Sequence, residues 1–440
     1  MGETYERTLQ EIPKEKKQHA HRLFQCLVAA IRPLRAEELA EIFAVDFDQD
    51  GAANFVETWR PEIPEEAILS ACSTLIAVIN DNDGRKVVQF SHFSVKEFLT
   101  SGRLRTSEVV NLRDYHIPFD AAQTILARAC LTVLLQLDEK TNRKRLATFP
   151  LLLYAARQWF VHAKYEGVAP RIQDAMEQLF DPSKPYLAAW VWIHDVDQER
   201  FRFRESTEDH PSPPKATALY YAASCGLCGP AKYLISTHGE DVNAKCGYHG
   251  SPLHAASRNG HVDAVTLLLD SGANVNMTNE DKGTPLRAAY VGRHLEAMRL
   301  LLERGAVVDV PYDWIGSLAH RVSYDRQADV LRLLLQHSVD VNVTGYLNYT
   351  PLHWASVEGH VDVAQILLEH GAETNAVSSI GTSLHYASMT GRLEIVRLLL
   401  EHGADAHIRA PGRKTPFEEA TDLGHTQIAQ LLLEYGADKE

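Results

Sequence analysis

Residues 350–375 read TPLHWASVEGHVDVAQILLEHGAETN. Thr350 followed by Pro351 opens a helix: a proline in the first turn loses no hydrogen bond. Ala355 and Ser356 are small, so a second helix can lie close. Ile366, Leu367 and Leu368 give that second helix an apolar stripe. Gly371 then ends it, because a helix closing in a left-handed residue favours glycine. Two short helices of this kind cannot bury their apolar faces alone, so the unit must stack on copies of itself.

The copies are present. Openings of the same form occur at TALYYAASCG, SPLHAASRNGH, TPLRAAYVGRH, SLAHRVSYDRQ, TPLHWASVEGH, TSLHYASMTGR and TPFEEATDLGH. Their third residues are Leu219, Leu253, Leu286, Ala319, Leu352, Leu384 and Phe417, spaced by 34, 33, 33, 33, 32 and 33. The helix-ending glycines are Gly272, Gly305, Gly371, Gly403 and Gly436. A fixed period near 33 marks a stacked helical solenoid. The expected units are 216–250, 251–283, 284–316, 317–349, 350–381, 382–414 and 415–440. The fourth departs most: Leu318 stands for Pro, Ala319 for Leu, Arg321 at an apolar site and Arg326 for Gly. A local kink, a tuned contact or simple drift are its open readings.

The pattern over 216–440 resembles the ankyrin repeat, two helices and a hairpin finger. The resemblance implies a protein-binding scaffold that works through finger tips and the inner face of the first helices. The matching positions are Tyr248, Tyr312, Trp314, Tyr346 and Tyr349 in the fingers. Arg258, Asn259, Tyr324, Asp325, Val357, Glu358, Met389 and Thr390 match just before the turn between helices. Aromatic and Arg side chains are enriched among interface hot spots, although tyrosines can also pack finger on finger. His254, His353, His385, His261, His294, His360 and His425 recur with the repeat, so they belong to the scaffold, not to a metal or catalytic site.

Composition narrows the rest. The chain has 440 residues and a net charge of −14. Residues 1–215 hold 27 Lys+Arg and 32 Asp+Glu (−5); residues 216–440 hold 17 and 26 (−9). Neither half has the basic excess that phosphate neutralisation needs. Six cysteines in this length make no disulfide framework. With no long apolar run and no signal peptide, a cytoplasmic address is expected, with the nucleus open.

Two motifs invite metal readings. Cys225-x2-Cys228 and Cys246-x2-His249 have zinc-like spacing, but the repeat register puts one pair at a helix turn and the other in a finger. A helix of roughly eight to ten residues would separate them by ~12–15 Å, too far for one zinc ion. Residues 46–57, DFDQDGAANFVE, fill an EF-hand pattern with Asp46, Asp48, Asp50, Gly51 and Glu57. Pro61 and Pro64 block the exiting helix that such a loop needs, and no second loop pairs with it. The expectation is therefore no resident metal and no cofactor, with Asp46, Asp48, Asp50 and Glu57 left as a weak calcium candidate at the millimolar end of the range.

Residues 15–105 read as three helices, a hairpin and a helix, a winged-helix unit. LIAVIN and KVVQFSH are the strands, and Asp83-Gly84 is the turn signal. FSHFSVKEFL and LVAAIRPLRAEELAEIFAVDFD resemble the winged-helix segment that follows the ATPase core in NACHT-type signalling proteins, particularly fungal NACHT–ankyrin receptors of the NLR-like class. That resemblance implies that His92, with Ser94, Glu97 and Phe98 around it, faces the β-phosphate of ADP when a core is supplied. Phe93 departs from the related plant form, which has Asp there. No G-x-x-x-x-G-K-[ST] loop occurs, so ATP binding by this chain alone is not expected. The chain reads as the C-terminal portion of such a receptor, with 1–14 a remnant of the join. In 106–203, Pro118, Pro150 and Pro170 open apolar helical runs, an α-helical linker domain whose Trp159, Trp190 and Trp192 read as core. RESTEDHPSPPK, 204–215, is polar and Pro-rich, a linker.

The expected fold is thus mainly α: an ankyrin solenoid of about seven repeats preceded by a winged-helix unit and a helical linker domain. The expected function is a non-enzymatic recognition scaffold, the sensor or regulatory part of an innate-immunity-like signalling protein. It would bind partner proteins through the repeats, with self-association or association with a NACHT domain left open and no nucleic-acid or membrane partner. The alternative is a DNA-binding winged-helix regulator with an ankyrin partner arm. Its third helix, PEEAILSACSTL, carries two glutamates and no Lys or Arg, against that reading.

Overall fold

The structure, a computed structural model, describes residues 2–47, 53–197, 209–279, 283–308, 315–337, 339–410 and 414–437. They form two compact units, 1–273 and 274–440. No helix among the described residues is long and apolar enough to cross a membrane.

The first unit begins with α1 (Gly2–Gln10), which buries Leu9, and α2 (Lys17–Ala29), which buries Leu23, Phe24, Leu27 and Val28. Then follow β1 (Leu34–Arg35), α3 (Ala36–Glu41), β2 (Val45–Asp46), β3 (Asn54–Phe55), α4 (Pro64–Cys72), β4 (Ile76–Asn80), β5 (Lys86–Phe90) and α5 (Phe93–Thr100). One antiparallel sheet runs in the order β1-β5-β4. At the Asp83-Gly84 turn the Asp81 carboxylate accepts from the backbone N–H groups of Asp83 and Arg85 at 2.9 and 2.8 Å. Gly84 takes φ +74° there.

Within DFDQDGAANFVE, β2 pairs with β3 through Val45↔Phe55 and Asp46↔Asn54. That pairing makes a hairpin where the sequence suggested an ion loop. Asp48, Asp50 and Gly51 lie outside the described residues. Glu57 opens a single 3-10 turn and is 80% exposed, 3.8 Å from Arg60. Among the described residues no group of three or more His, Cys, Asp or Glu side chains could hold a metal ion. Cys225 ends one helix, Cys228 begins the next, and the Cys246 thiol lies by Ala244 O and Thr217 Oγ1 in a finger.

Helices Phe119–Leu134, Leu152–Ala163, Gln173–Phe180 and Tyr186–Ile193 follow. Trp159, Trp190 and Phe180 interlock with ring centroids 5.6–6.2 Å apart. Trp159 and Trp190 are fully buried, and the Trp190 indole donates to Ala156 O at 2.8 Å; Trp192 is only half-buried. Two repeat units complete this part of the molecule. Helix Gln173–Phe180 packs on the second helix of the first repeat, Cys228–Thr237. Gly229 lies at that contact: a Cβ there would meet the end of the Gln173 side chain at 2.2 Å, which would have to swing aside. The Asp197 carboxylate accepts from Tyr220 OH and from the backbone N–H of Tyr248 at 2.9 Å. These contacts close the open end of the repeat stack, whose apolar flank would otherwise face water.

The second unit holds five repeats. Each is a helix pair, such as Pro351–Glu358 with Val361–Glu369, and from the fourth repeat on consecutive pairs pack side by side. The opening Thr or Ser caps its helix, and in three of the repeats a His three residues on reaches back to the cap: Thr350 N–H donates to His353 Nδ1 at 3.0 Å. Since Nδ1 accepts, the ring proton sits on Nε2 and donates to Gly381 O in the next finger at 3.2 Å. His320 and His385 repeat the device toward Tyr349 O and Lys414 O. A second stitch comes from asparagines. Asn342 donates to Gly371 O at 3.3 Å and accepts from Glu373 N–H at 2.7 Å, and Asn276 and Asn375 do likewise.

The divergent fourth repeat is not kinked: its first helix runs Leu318–Tyr324. Arg321 donates to Asp325 at 2.8 Å and lies over the Tyr324 ring, so its charge at an apolar slot is compensated locally. Arg326 takes the left-handed position at φ +56° and pairs with Asp362 of the following repeat. The third repeat also lacks glycine there; Arg293 has φ +65°.

Candidate protein-interaction surface

The same slot of the first helix, two residues before the left-handed residue, is filled by Val291, Tyr324, Val357 and Met389 in four consecutive repeats of the second unit. Val291 is 45% exposed and the other three are half-buried. Stacking places one such side chain per repeat, so together they make an apolar row that no contact within the unit covers completely. Backbone carbonyls on the row are already bonded: His360 donates to Tyr324 O and His425 to Met389 O. These bonds tie the backbone of the row to the following repeats.

Beside it lies an aromatic cluster. Trp354 packs on Tyr349 at 4.8 Å and edge-on to Tyr324 at 5.6 Å. Tyr349 stacks near Tyr386 at 5.1 Å, and Tyr386 OH donates to Tyr349 OH at 2.6 Å. Tyr349 is buried in this cluster, a finger-on-finger role. Tyr346, two-thirds exposed, instead projects from a tight turn in which Leu347 and Asn348 both adopt positive φ. An exposed Leu in a left-handed conformation is strained backbone. Val377, in the next finger, is exposed as well.

The remaining positions divide. Asp325 is held by Tyr290 OH at 2.7 Å and by Arg321. Glu358 is half-buried, and Thr390 donates to Tyr386 O. In the first unit Tyr248 is exposed, and Arg258 is half-buried. Asn259 donates to Ser224 O and Oγ, a bond between repeats. Tyr312 and Trp314 lie outside the described residues. The sequence reading did not single out Val291, Leu347 or Val377. Val291 was detectable as the third-repeat counterpart of Tyr324; the exposure of Leu347 depends on the turn geometry.

His92 caps α5. Its Nδ1 accepts from Ser94 N–H at 3.2 Å and shares a hydrogen with Ser94 Oγ at 2.6 Å. Ser94 Oγ in turn meets Tyr5 OH at 2.8 Å, which fastens α1 to the winged helix. The His92 ring is exposed.

Comparison with known proteins identifies the repeats and the winged helix. The family described as ankyrin repeats matches in three copies, residues 219–312, 288–378 and 375–440, which together span half of the chain. The chain belongs to the ankyrin-repeat family. Residues 5–111 match the family described as GPI inositol-deacylase, winged helix domain. Ankyrin repeats are typically interaction scaffolds without catalytic groups of their own. A curated relative, azaphilone pigments biosynthesis cluster protein L of Monascus ruber, is 28% identical over 287 residues, 62% of this chain and 59% of that protein. The chain thus spans about three fifths of that relative's length. Among solved structures, the human ASB11 ankyrin repeat domain is 28% identical, with 50% of this chain and 99% of that one covered and a TM-score of 0.42. An ankyrin repeat domain from Acinetobacter baumannii AYE is also 28% identical, with coverage of 42% and 98% and a TM-score of 0.41.

Proposed function

We propose that the chain is a non-enzymatic recognition module that binds a partner protein through the first-helix row and finger tips of its ankyrin repeats. The observation that carries this reading is the row Val291, Tyr324, Val357 and Met389, apolar and accessible in four successive repeats beside the exposed Tyr346. The winged helix and helical segment then hold or transmit a state, as in the regulatory part of an NLR-like signalling protein. If a NACHT-type core is joined to the winged helix, His92 is the residue to meet a bound phosphate, with Nδ1 already committed to the α5 cap.

The DNA-binding alternative has less support. The third helix, α4, carries Glu65 and Glu66 in its first turn and no Lys or Arg, and Glu65 is paired with Lys86 at 2.6 Å. Affinity capture with the full chain and with a Tyr324→Ala, Val357→Ala, Met389→Ala variant tests the proposal. Proteins captured by the first and lost by the second are the expected result. An unchanged capture set with a folded variant overturns it.

A further inference from the structure

The first helices of the last four repeats, Leu318–Tyr324, Pro351–Glu358, Ser383–Met389 and Pro416–Asp422, pack in succession. They present Tyr324, Val357 and Met389, and the residue directly after the last helix is Leu423, 52% exposed. The polar groups along this row decide what can lie on it. The row carbonyls are already taken: Tyr324 O accepts from His360 at 3.0 Å, Val357 O from Arg392 at 3.3 Å and Met389 O from His425 at 3.2 Å. Most side-chain charges are taken as well. Asp325 accepts from Tyr290 OH and Arg321, Glu418 pairs with Arg409 at 3.3 Å, and Asp422 pairs with Lys414.

Two carboxylates remain. Glu358 follows Val357, and Glu419 stands one helical turn before Leu423, on the same face. Both residues are half-buried, and among the described residues neither carboxylate has a hydrogen-bond or ion-pair partner. Arg392 does not serve them: its side chain lies over Gly359 and its Nε donates to Val357 O. A partly desolvated carboxylate without a partner gains from a cation, through a charge-assisted hydrogen bond. The field of the unit has the same sign, since residues 274–440 hold 14 Lys+Arg and 22 Asp+Glu (−8). Such a field draws a cationic partner toward the row and repels an anionic one.

We infer that the segment of the partner protein that occupies this row is cationic. Its apolar side chains seat against Tyr324, Val357, Met389 and Leu423, and two Lys or Arg side chains reach Glu358 and Glu419. This rests on the function proposed above and adds the chemistry of its partner. Neighbouring helices pack about 8–10 Å apart, and Glu358 and Glu419 lie two repeats apart, so the two cations stand about 16–20 Å from each other. An apolar segment without cations would cover both carboxylates and leave them unpaired, which discriminates against it.

Selection of random peptides displayed on phage against the full chain tests this, with the Tyr324→Ala, Val357→Ala, Met389→Ala variant as counter-selection. Peptides that depend on the row should be enriched in Lys and Arg. Once synthesised, they should bind a Glu358→Lys, Glu419→Lys variant at least about tenfold more weakly, because like charges then meet. A Glu358→Gln, Glu419→Gln variant keeps the shape and should bind at least about twofold more weakly, the lower bound for two exposed ion pairs. Raising salt from about 0.05 to 0.5 M should weaken binding to the unmutated chain more than to the Gln variant. Row-dependent peptides without Lys or Arg, or with unchanged affinity for both variants, overturn the inference and leave the proposed function standing. If no selected peptide depends on the row, both fall. If the Lys variant loses its circular dichroism, the Gln variant and the salt dependence decide.

Discussion

Residues 274–440 bury His320, His353 and His385 at one repeated address, each between its own helix cap and a carbonyl of the next finger. Before its two repeats, in which His254 is buried against Ser251 at that same address, the first unit buries polar groups at addresses used once. Glu41 is fully buried in α3, where it accepts from Arg60 at 2.6 Å and from Leu151 N–H at 2.6 Å, 110 residues away. Gln123 accepts from His162 Nδ1–H, Tyr154 OH donates to His162 Nε2, and Ile31 N–H donates to Tyr154 OH. The periodic unit distributes its polar demands over many equivalent bonds. The aperiodic unit concentrates them in a few networks that join the winged helix to the helices after it. Loss of one bond is therefore local in the first case and global in the second.

The largest effect should come from Arg60→Ala. It leaves the Glu41 carboxylate buried without its cation, and it removes the guanidinium from the Phe55 and Phe149 rings. Breaking a buried pair in this way costs about 3–5 kcal/mol, visible as a fall in the urea midpoint of the first unit with the second unchanged. Burial already pushes Glu41 above the usual carboxylate range despite Arg60. Its charge is therefore maintained at a cost, which the alanine variant exposes. If both units lose stability equally, the comparison fails.

Acid should reach both units through their histidines. Burial lowers His353 to about 4, with His320 and His385 adding like-charge repulsion, and burial likewise lowers His162 to about 4. The unfolded chain takes up protons near the ordinary value of 6.5 while the folded chain does not. Stability is thus complete above that pH and falls as pH drops toward 4, by roughly 3 kcal/mol per histidine at most. Melting temperatures from pH 7.5 to 4.5 check this, with His353→Gln flattening the slope of the second unit and His162→Gln that of the first.

Asn342→Ala removes one stitch, an accepted and a donated bond between fingers, and should cost about 1–2 kcal/mol. Asn276→Ala and Asn375→Ala should cost the same, because the address repeats; widely different values would break the equivalence. The smallest effect belongs to the left-handed arginines. Arg293→Gly should stabilise by about 1 kcal/mol through relief of the positive φ. Arg326→Gly should gain less, since it also gives up the exposed pair with Asp362, worth at most about 1 kcal/mol. Differential scanning calorimetry resolves that order.

The difference between the units also explains what could be read in advance. Thr350-Pro351, Gly371 and the Leu stripe each state a local requirement, and repetition multiplies the signal. The caps, glycines and helix pairs are thus legible residue by residue. The Asp83-Gly84 turn was legible for the same reason. β1 and the β2–β3 hairpin were not: two-residue strands have no periodicity, and DFDQDGAANFVE carries a local pattern that suggested an ion loop instead. The partner of Arg321 could be found four residues along the same helix, at Asp325. The partner of Glu41 could not, because nothing local in α3 announces Arg60 or Leu151.

The sequence by itself determined the repeat, its period, the caps that start and stop each helix, and the slots that face outward. Those properties depend on backbone geometry within a few residues, and side-chain type is enough to specify them. Only the tertiary structure decided which outward side chains remain accessible. It turned Tyr349 into core and left Tyr346 at a tip, directed Asn259 into a bond between repeats, and ended the winged-helix sheet on an uncharged strand. Accessibility depends on what packs against a residue from far along the chain, and a local pattern does not contain that information.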